Sequence, residues 1–117
     1  MKIVYIAGPY GDANGHLVID QNIARARWFA AWLANNGIGF ICPHLNSAHF
    51  EVITPKVKTE FWYEMDLRLM DAADALFVLE GSENSKGVAR ETIEWRKTGK
   101  PLFYSWERSE LLEWATP

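Results

Sequence analysis

Short apolar runs alternate with longer segments of helical periodicity along the whole chain, and this alternation limits the fold more than any other feature. The predicted strands cover residues 2–7, 38–42, 75–79 and 102–104, and the predicted helices cover 20–35, 57–73, 86–98 and 107–114. Strands that alternate with helices favour a parallel sheet with right-handed crossovers and helices on both faces. We therefore predict a three-layer α/β/α fold of the Rossmann or flavodoxin-like type, with a mostly parallel sheet of four to five strands.

Turn-forming residues mark the ends of these elements. Gly8-Pro9 ends the first strand, and Asn35-Asn36-Gly37 ends the first helix. We expect residues 10–19 to form a loop with Asp20 capping the first helix, and residues 44–55 to be irregular. Ser85 is a candidate N-cap for the third helix.

Composition narrows the class of protein. A chain of 117 residues with 49% hydrophobic residues can bury a core, so we predict one domain over residues 1–117 and exclude a disordered chain. The net charge of −3 argues against polymeric nucleic acid as a partner. A single cysteine fits a reducing compartment, and no apolar run approaches the ~20 residues that span a bilayer. These features predict a cytoplasmic protein without a membrane partner.

Aromatic residues are frequent, with six tryptophans and 14% aromatic residues in total. Large aromatic side chains dominate cores and subunit interfaces, which is one explanation. The other is a platform on which a flat ligand such as a nucleobase stacks. Composition alone leaves both open.

The fold rule predicts where a ligand would bind. In open parallel sheets, ligands lie beyond the carboxyl ends of the strands. This rule selects the loops 8–15, 43–49 and 81–85 and the residues after Tyr104. The first loop contains neither G-x-G-x-x-G nor G-x-x-x-x-G-K-[ST], so the dinucleotide and nucleoside-triphosphate fingerprints are absent.

Two carboxylates on different predicted helices are candidates for catalysis. Glu91 lies beside the inward stripe formed by Val88, Thr92 and Trp95, so we expect it to be half-buried. There the positive end of the helix dipole would keep it ionised, as a nucleophile at a sugar carbon requires. Asp66 could assist the leaving group, since glycosidic cleavage uses two carboxyl groups. The alternatives are a plain helix cap at Ser85 and solvated charges elsewhere.

The segment after the second strand contains a cysteine and two histidines, Cys42, His44 and His49. Their spacing matches no zinc motif, so we predict no metal site and regard Cys42 as a small buried apolar residue. His44 and Asn46 are better interpreted as polar groups that line a ligand cleft.

Several of these pieces occur together in one order. They are Tyr5-Ile6-Ala7-Gly8-Pro9-Tyr10, Asn22, Pro43-His44, Phe61-Trp62 through Asp66, Asp71-Ala72-Ala73-Asp74, Ser85-x-Gly87-x-x-x-Glu91 and Gly99-Lys100-Pro101. In this order and spacing the chain resembles the nucleoside 2-deoxyribosyltransferase-like family, which includes deoxynucleoside monophosphate N-glycosidases. The resemblance covers nearly the whole chain.

The resemblance implies roles for the matching positions. Glu91 would be the nucleophile that forms a glycosyl-enzyme intermediate, and Asp66 would transfer a proton to the leaving base. Substrate would be bound by the two turns that flank the pocket, namely Ser85 and Gly87 on one side and Gly8, Pro9 and Tyr10 on the other. No cofactor is implied. Family members are commonly homo-oligomers, dimers or larger, and Trp106 and Trp114 could serve such an interface.

These observations lead to an enzyme that cleaves or transfers the N-glycosidic bond of a nucleoside or nucleoside 5′-monophosphate. The alternative is a non-catalytic module of the same fold that binds a nucleotide or a nucleotide-derived signal. Hydrolysis and transfer both stay open. A 5′-monophosphate also needs cations, and the sequence offers Arg25, Arg27, Lys86 and Arg90 without placing them.

Overall fold

A computed structural model describes residues 1–11 and 16–117 of the chain. The four strands are β1 (Ile3–Ala7), β2 (Gly39–Ile41), β3 (Ala75–Val78) and β4 (Leu102–Tyr104). They form one sheet in the order β2-β1-β3-β4, and each neighbouring pair is parallel. The predicted fold class is confirmed, with four strands in the sheet.

Within residues 1–11 and 16–117, six helices connect or follow the strands. They are α1 (His16–Asn35), α2 (Pro43–Asn46), α3 (Phe50–Ile53), α4 (Thr59–Met70), α5 (Lys86–Arg96) and α6 (Arg108–Ala115). Gly37 follows α1 with a φ of 74°, the left-handed conformation that glycine adopts at a helix C-terminus. The stop predicted at this position is confirmed.

The first helix begins before the predicted cap. Asp20 lies inside α1, and its carboxylate accepts a hydrogen bond from His49 Nε2 at 2.8 Å. The earlier start has a packing reason, because Ile19 is buried and extends the apolar stripe of Ile23, Ala26 and Ala30 by one turn. Residues 12–15 of the predicted loop lie outside the described part of the chain.

The segment predicted to be irregular contains two single helical turns, α2 and α3. Pro43 begins α2, where its missing N–H would be unpaired in any case. The helix α4 also differs from prediction. Helical spacing places Phe61, Met65, Leu69 and Ala72 on one predicted apolar face, but Met70 is buried and Phe61 is more than half exposed. Packing against the sheet, rather than the local apolar spacing, decided which face of α4 is buried.

Alternation along the strands divides the core into two layers. On one face Val4, Ile6 and Phe77 pack with α1 and α6. On the other face Tyr5 and Leu76 pack with α4 and α5. Because successive side chains of a strand point to opposite faces, β1 contributes to both layers.

The positions of the six tryptophans bear on the two explanations of the high aromatic content, which are packing in a core or interface and a platform for a flat ligand. Trp95 is fully buried and donates its Nε1–H to the carbonyl oxygen of Pro101 at 2.9 Å. The remaining five divide between partial burial against the core (Trp32 and Trp114), the wall of a cavity (Trp62) and the surface (Trp28 and Trp106). Core packing therefore accounts for half of them, and one lies where a flat ligand could contact it.

The strand order creates the position for a site. The chain runs from β1 outward to β2, and then crosses back over β1 to reach β3. Loops at the carboxyl ends of β1 and β3 therefore leave in opposite directions, which opens a crevice between them.

Candidate active site

A cavity of about 640 Å³ lies at this carboxyl edge. It is formed by the turn after β1, by α2 and α3, by α4, and by the loop that leads into α5. The polar and charged side chains that line it are Tyr10, His44, Ser47, Glu51, Thr59, Tyr63, Asp66, Asn84, Ser85, Lys86 and Glu91. Its volume suits a ligand of the size of a nucleoside or nucleotide.

Glu91 occupies the wall of the cavity that α5 provides. Its carboxylate accepts a hydrogen bond from the hydroxyl of Tyr5 in β1. Burial raises the pKa of Glu91 to about 7, the Tyr5 hydrogen bond lowers it, and the nearby charge of Asp66 raises it. The helix dipole was predicted to keep Glu91 ionised, but with a pKa of about 7 the carboxyl group is only partly ionised at neutral pH. The dipole acts mainly within the first turn, and Glu91 is the sixth residue of α5, so desolvation outweighs it.

Tyr5 was not singled out from the sequence, and it is the direct partner of Glu91. Its ring is fully buried under α5, and burial together with the Glu91 charge raises the pKa of its hydroxyl. The hydroxyl therefore stays protonated and acts as a fixed donor to the carboxylate. A tyrosine in a buried strand was a usable signal, because a buried hydroxyl requires a partner.

Asp66 faces the same cavity from α4. It is half-buried, and its Oδ1 has no hydrogen-bond partner among the described residues. Burial raises the pKa of Asp66 to about 6. A carboxyl group with an unpaired buried oxygen favours its protonated form, since protonation removes the charge that burial penalises.

The two carboxyl groups thus meet in one cavity, although they lie 25 positions apart along the chain. Their charges interact, so their two protons leave as those of a coupled pair. Within the singly protonated pair, the Tyr5 hydrogen bond favours the negative charge on Glu91. Burial opposes this preference, because it raises the pKa of Glu91 to about 7 and that of Asp66 to about 6, so in the coupled pair the proton is shared between the two carboxyl groups.

The start of α5 is built by the residues predicted there. Ser85 is the N-cap, and its Oγ accepts a hydrogen bond from the amide of Val88 at 3.3 Å. A Cβ at Gly87 would lie 3.3 Å from Cε1 of Tyr63, so a side chain here would crowd the cavity. Both residues line the cavity, beside Glu91.

The turn after β1 forms the opposite wall, through Gly8, Pro9 and Tyr10. A Cβ at Gly8 would meet Cδ1 of Leu79 at 3.0 Å, so the close approach of this turn to the end of β3 requires glycine. Asn22, from the resemblance, donates its side-chain amide to the carbonyl oxygen of Tyr10 at 3.1 Å. This contact fixes the turn on α1.

His44 connects the turn after β1 to α2. Its Nε2–H donates to the carbonyl oxygen of Pro9 at 2.9 Å, and the side chain is only 5% exposed. Burial and, less strongly, the charge of Arg25 lower the pKa of His44, so the ring is neutral. With Nε2 protonated, Nδ1 is an acceptor, and it has no partner among the described residues.

Tyr10 ties the same turn to α3. Its hydroxyl donates to the carboxylate of Glu51, at 2.9 and 3.1 Å from the two oxygens, and accepts from the amide of His49 at 2.6 Å. These contacts close one side of the cavity.

Asn46 does not join the site. It is the last residue of α2 and is exposed, whereas Ser47, the next residue, lines the cavity. The helical turn of α2 explains this, because it rotates the side chain of Asn46 away from that of His44. An irregular segment was predicted at this place. Glu51, Trp62 and Tyr63 also line the cavity, although no site role was predicted for them.

The structure of residues 1–11 and 16–117 was searched for a metal site and for a membrane-spanning helix. In this part of the chain, no cluster of three or more His, Cys, Asp or Glu side chains could hold a metal ion. Nor does any helix there have the length and hydropathy to cross a membrane.

Comparison with known proteins assigns the chain to a family. Residues 2–105 match the sequence model of a family described as a domain of unknown function, DUF7768. The chain belongs to this family. No curated protein matches the sequence.

Two solved structures have a fold similar to that of this DUF7768 chain. A 2-deoxyribosyltransferase from Bacillus psychrosaccharolyticus has a TM-score of 0.63 and 19% identity, over 87% of this chain and 70% of that protein. A 2-desoxiribosyltransferase from Leishmania mexicana has a TM-score of 0.62 and 21% identity, over 89% of this chain. The chain spans 63% of the Leishmania protein. At this identity the likeness shows a nucleoside 2-deoxyribosyltransferase-like fold.

Proposed function

We propose that this DUF7768 chain cleaves or transfers the N-glycosidic bond of a nucleoside or nucleotide through a covalent intermediate on Glu91. The observation that carries the proposal is the pairing of Glu91 and Asp66 in one cavity, with the Tyr5 hydroxyl on Glu91. Pairs of carboxyl groups with raised pKa values in a cavity are typical of acid–base and nucleophilic sites.

In the first step, an oxygen of the Glu91 carboxylate attacks C1′ of the sugar. The C1′–O bond forms as the C1′–N bond breaks, and the bonding electrons move to the base nitrogen. Asp66 in its protonated form delivers a proton to the leaving base, which thus departs neutral. The Tyr5 hydrogen bond holds the attacking group in place and favours its ionised form.

In the second step, the bond between C1′ and Glu91 breaks. Asp66, now a carboxylate, takes a proton from water or from a second base as that nucleophile attacks C1′. Water gives hydrolysis and an incoming base gives transfer. In both cases Glu91 returns as a carboxylate and Asp66 returns protonated, so the cycle closes.

The structural neighbours support the substrate class. Both are named as deoxyribosyltransferases, and this chain shares their fold over most of its length. The aromatic residues of the cavity wall support the same class, because Phe50 and Trp62 both line the cavity and meet edge-on, with ring centroids 5.9 Å apart. This cluster offers an apolar wall to a flat base.

The test is to incubate the protein with 2′-deoxynucleosides and with their 5′-monophosphates and to measure the released free base by chromatography. Glu91→Gln should lower kcat by at least about 10³-fold, because the nucleophile is lost. Glu94→Gln, an exposed position on the same helix, is the matched control and should leave the rate unchanged. Mass spectrometry of quenched wild-type protein should detect a deoxyribosyl adduct on the peptide that contains Glu91.

Two outcomes would contradict the proposal. Glu91→Gln with near wild-type activity would remove the nucleophile assignment. Ligand binding without any release or exchange of base would instead favour the non-catalytic binding module. The homo-oligomer implied by the resemblance belongs to the same proposal, and light scattering of the purified chain tests it.

A further inference from the structure

The four cations that the sequence left unplaced have different environments in the structure. Arg90 forms a bidentate ion pair with Glu60, in which Nη1 and Nη2 each lie 3.0 Å from a carboxylate oxygen. Arg27 is exposed on α1. Lys86 lines the cavity at the start of α5, and Arg25 lies on α1 with its terminal nitrogens near Gly81, a residue of the cavity wall. Arg25 and Lys86 are therefore the candidates for contact with a ligand.

Arg25 is half-buried and has no counter-ion in the described ranges. Its Nε is buried without a hydrogen-bond partner there, and the guanidinium forms no ion pair with a carboxylate of residues 1–11 or 16–117. A cation in this position loses part of its hydration and gains no compensating charge. The arrangement becomes favourable once an anion binds.

The guanidinium lies at the carboxyl end of the sheet. A Cβ at Gly81, which follows β3 and lines the cavity, would lie 3.6 and 3.7 Å from the two terminal nitrogens of Arg25. The positive charge of Arg25 also lowers the pKa of His44, which follows β2. Since β1 runs between β2 and β3, Arg25 reaches across the end of β1, next to the Gly8-Pro9 turn.

The charges of the cavity are segregated. Asp66 and Glu91 lie on the walls that α4 and α5 provide, and Glu51 lies on α3. Two cations that form no ion pair with a described residue, Arg25 and Lys86, flank the loop 81–85. A ligand with an anionic end would fit this division, with its negative group at the Gly81 side and its reacting carbon at the carboxylates.

We propose that Arg25 binds a phosphate group of the substrate at the end of β1, so that nucleoside 5′-monophosphates are preferred over nucleosides. This inference rests on the proposed function. The planar guanidinium can donate two parallel hydrogen bonds to phosphate oxygens. Lys86 adds a second, exposed positive charge at the rim.

The experiment compares kcat/KM for 2′-deoxynucleosides and their 5′-monophosphates in wild-type protein, Arg25→Gln and Arg27→Gln. We expect Arg25→Gln to lower kcat/KM for the monophosphate about 100-fold, the size of a lost charge-assisted pair, and for the nucleoside less than about 3-fold. Arg27→Gln, two residues away on the same helix, should change neither. Arg25→Lys should recover only part of the loss, because lysine keeps the charge without the fork.

A binding measurement separates this inference from the proposed function. In the Glu91→Gln background, the thermal midpoint is followed with inorganic phosphate, with nucleoside and with monophosphate. Monophosphate should raise the midpoint, and Arg25→Gln should remove the shift. If that holds while wild-type protein releases no base, the phosphate site stands and the proposed reaction fails.

Other results overturn the phosphate site alone. One is equal or better turnover of nucleosides by the wild-type protein. Another is an equal loss for both substrates in Arg25→Gln, which would indicate a structural role for the arginine. If Arg25→Gln does not fold, the wild-type ratio of the two substrates still decides, because a ratio at or below one refutes the proposal.

Discussion

Replacing Glu91 by glutamine should make the fold more stable at neutral and alkaline pH, although it removes the proposed nucleophile. Burial raises the pKa of Glu91 from the ordinary 4.5 to about 7. Between these two values the folded chain binds more protons than the unfolded chain. The free energy of unfolding therefore decreases as the pH rises through this window.

The magnitude follows from the size of this pKa change. It corresponds to about 3 kcal/mol, present below about pH 4.5 and lost above about pH 7. Glutamine does not ionise, and its side-chain oxygen can still accept the Tyr5 hydrogen bond. Relative to wild type, Glu91→Gln should gain about 3 kcal/mol between pH 4.5 and pH 8, on the order of 10 °C in Tm for a domain of this size.

Urea unfolding followed by tryptophan fluorescence at pH 4.5 and pH 8 measures this difference. Glu94→Gln is the control, since Glu94 lies on the same helix but is exposed and paired with Lys97 at 2.9 Å. It should follow wild type at both pH values within about 0.5 kcal/mol. If Glu91→Gln also parallels wild type, the carboxyl group is not desolvated by the fold, and the electrostatic argument for the site is wrong.

The remaining predictions concern catalysis. The profile of kcat/KM against pH should be bell-shaped, falling below about pH 6 and above about pH 7, because the singly protonated pair is the active form. Asp66→Asn should abolish the alkaline limb, and a limb that persists would exclude Asp66 as the acid. Tyr5→Phe should move the acid limb to higher pH, since Glu91 loses the hydrogen bond that lowers its pKa; an unmoved limb would refute this role. Gly87→Ala should raise KM, because the added methyl group crowds Tyr63, while the free energy of unfolding in urea stays within about 1 kcal/mol of wild type. An unchanged KM would contradict the crowding.

Local sequence signals identified the main elements of the fold because strands, turns and caps depend on neighbouring residues. The apolar run at β3 and the serine cap of α5 are both present in the structure. The start of α1 was wrong by a turn, since burial of Ile19 against the sheet prolongs the helix. The inward face of α4 was wrong for a similar reason. Both errors arise where contacts between layers outweigh local preference.

The candidate site shows the same division. Position along the chain was enough to select Glu91, Asp66 and the two turns, because parallel sheets place their sites at the carboxyl ends of strands. It was not enough to exclude Asn46, whose direction depends on a single helical turn. It led to the prediction of an ionised Glu91 and did not reveal that burial raises the pKa of this group, because the degree of desolvation depends on what covers a side chain.

Local patterns in the chain specify the alternation of strands and helices, the turns that end them, and the edge of the sheet where polar groups collect. These are consequences of short-range periodicity and backbone preference. Only the tertiary structure decided that the hydroxyl of Tyr5 meets a carboxylate 86 residues away, and that Arg25 lies against Gly81. Such contacts depend on the register of strands and the packing of helices on them, which no local stretch of sequence specifies.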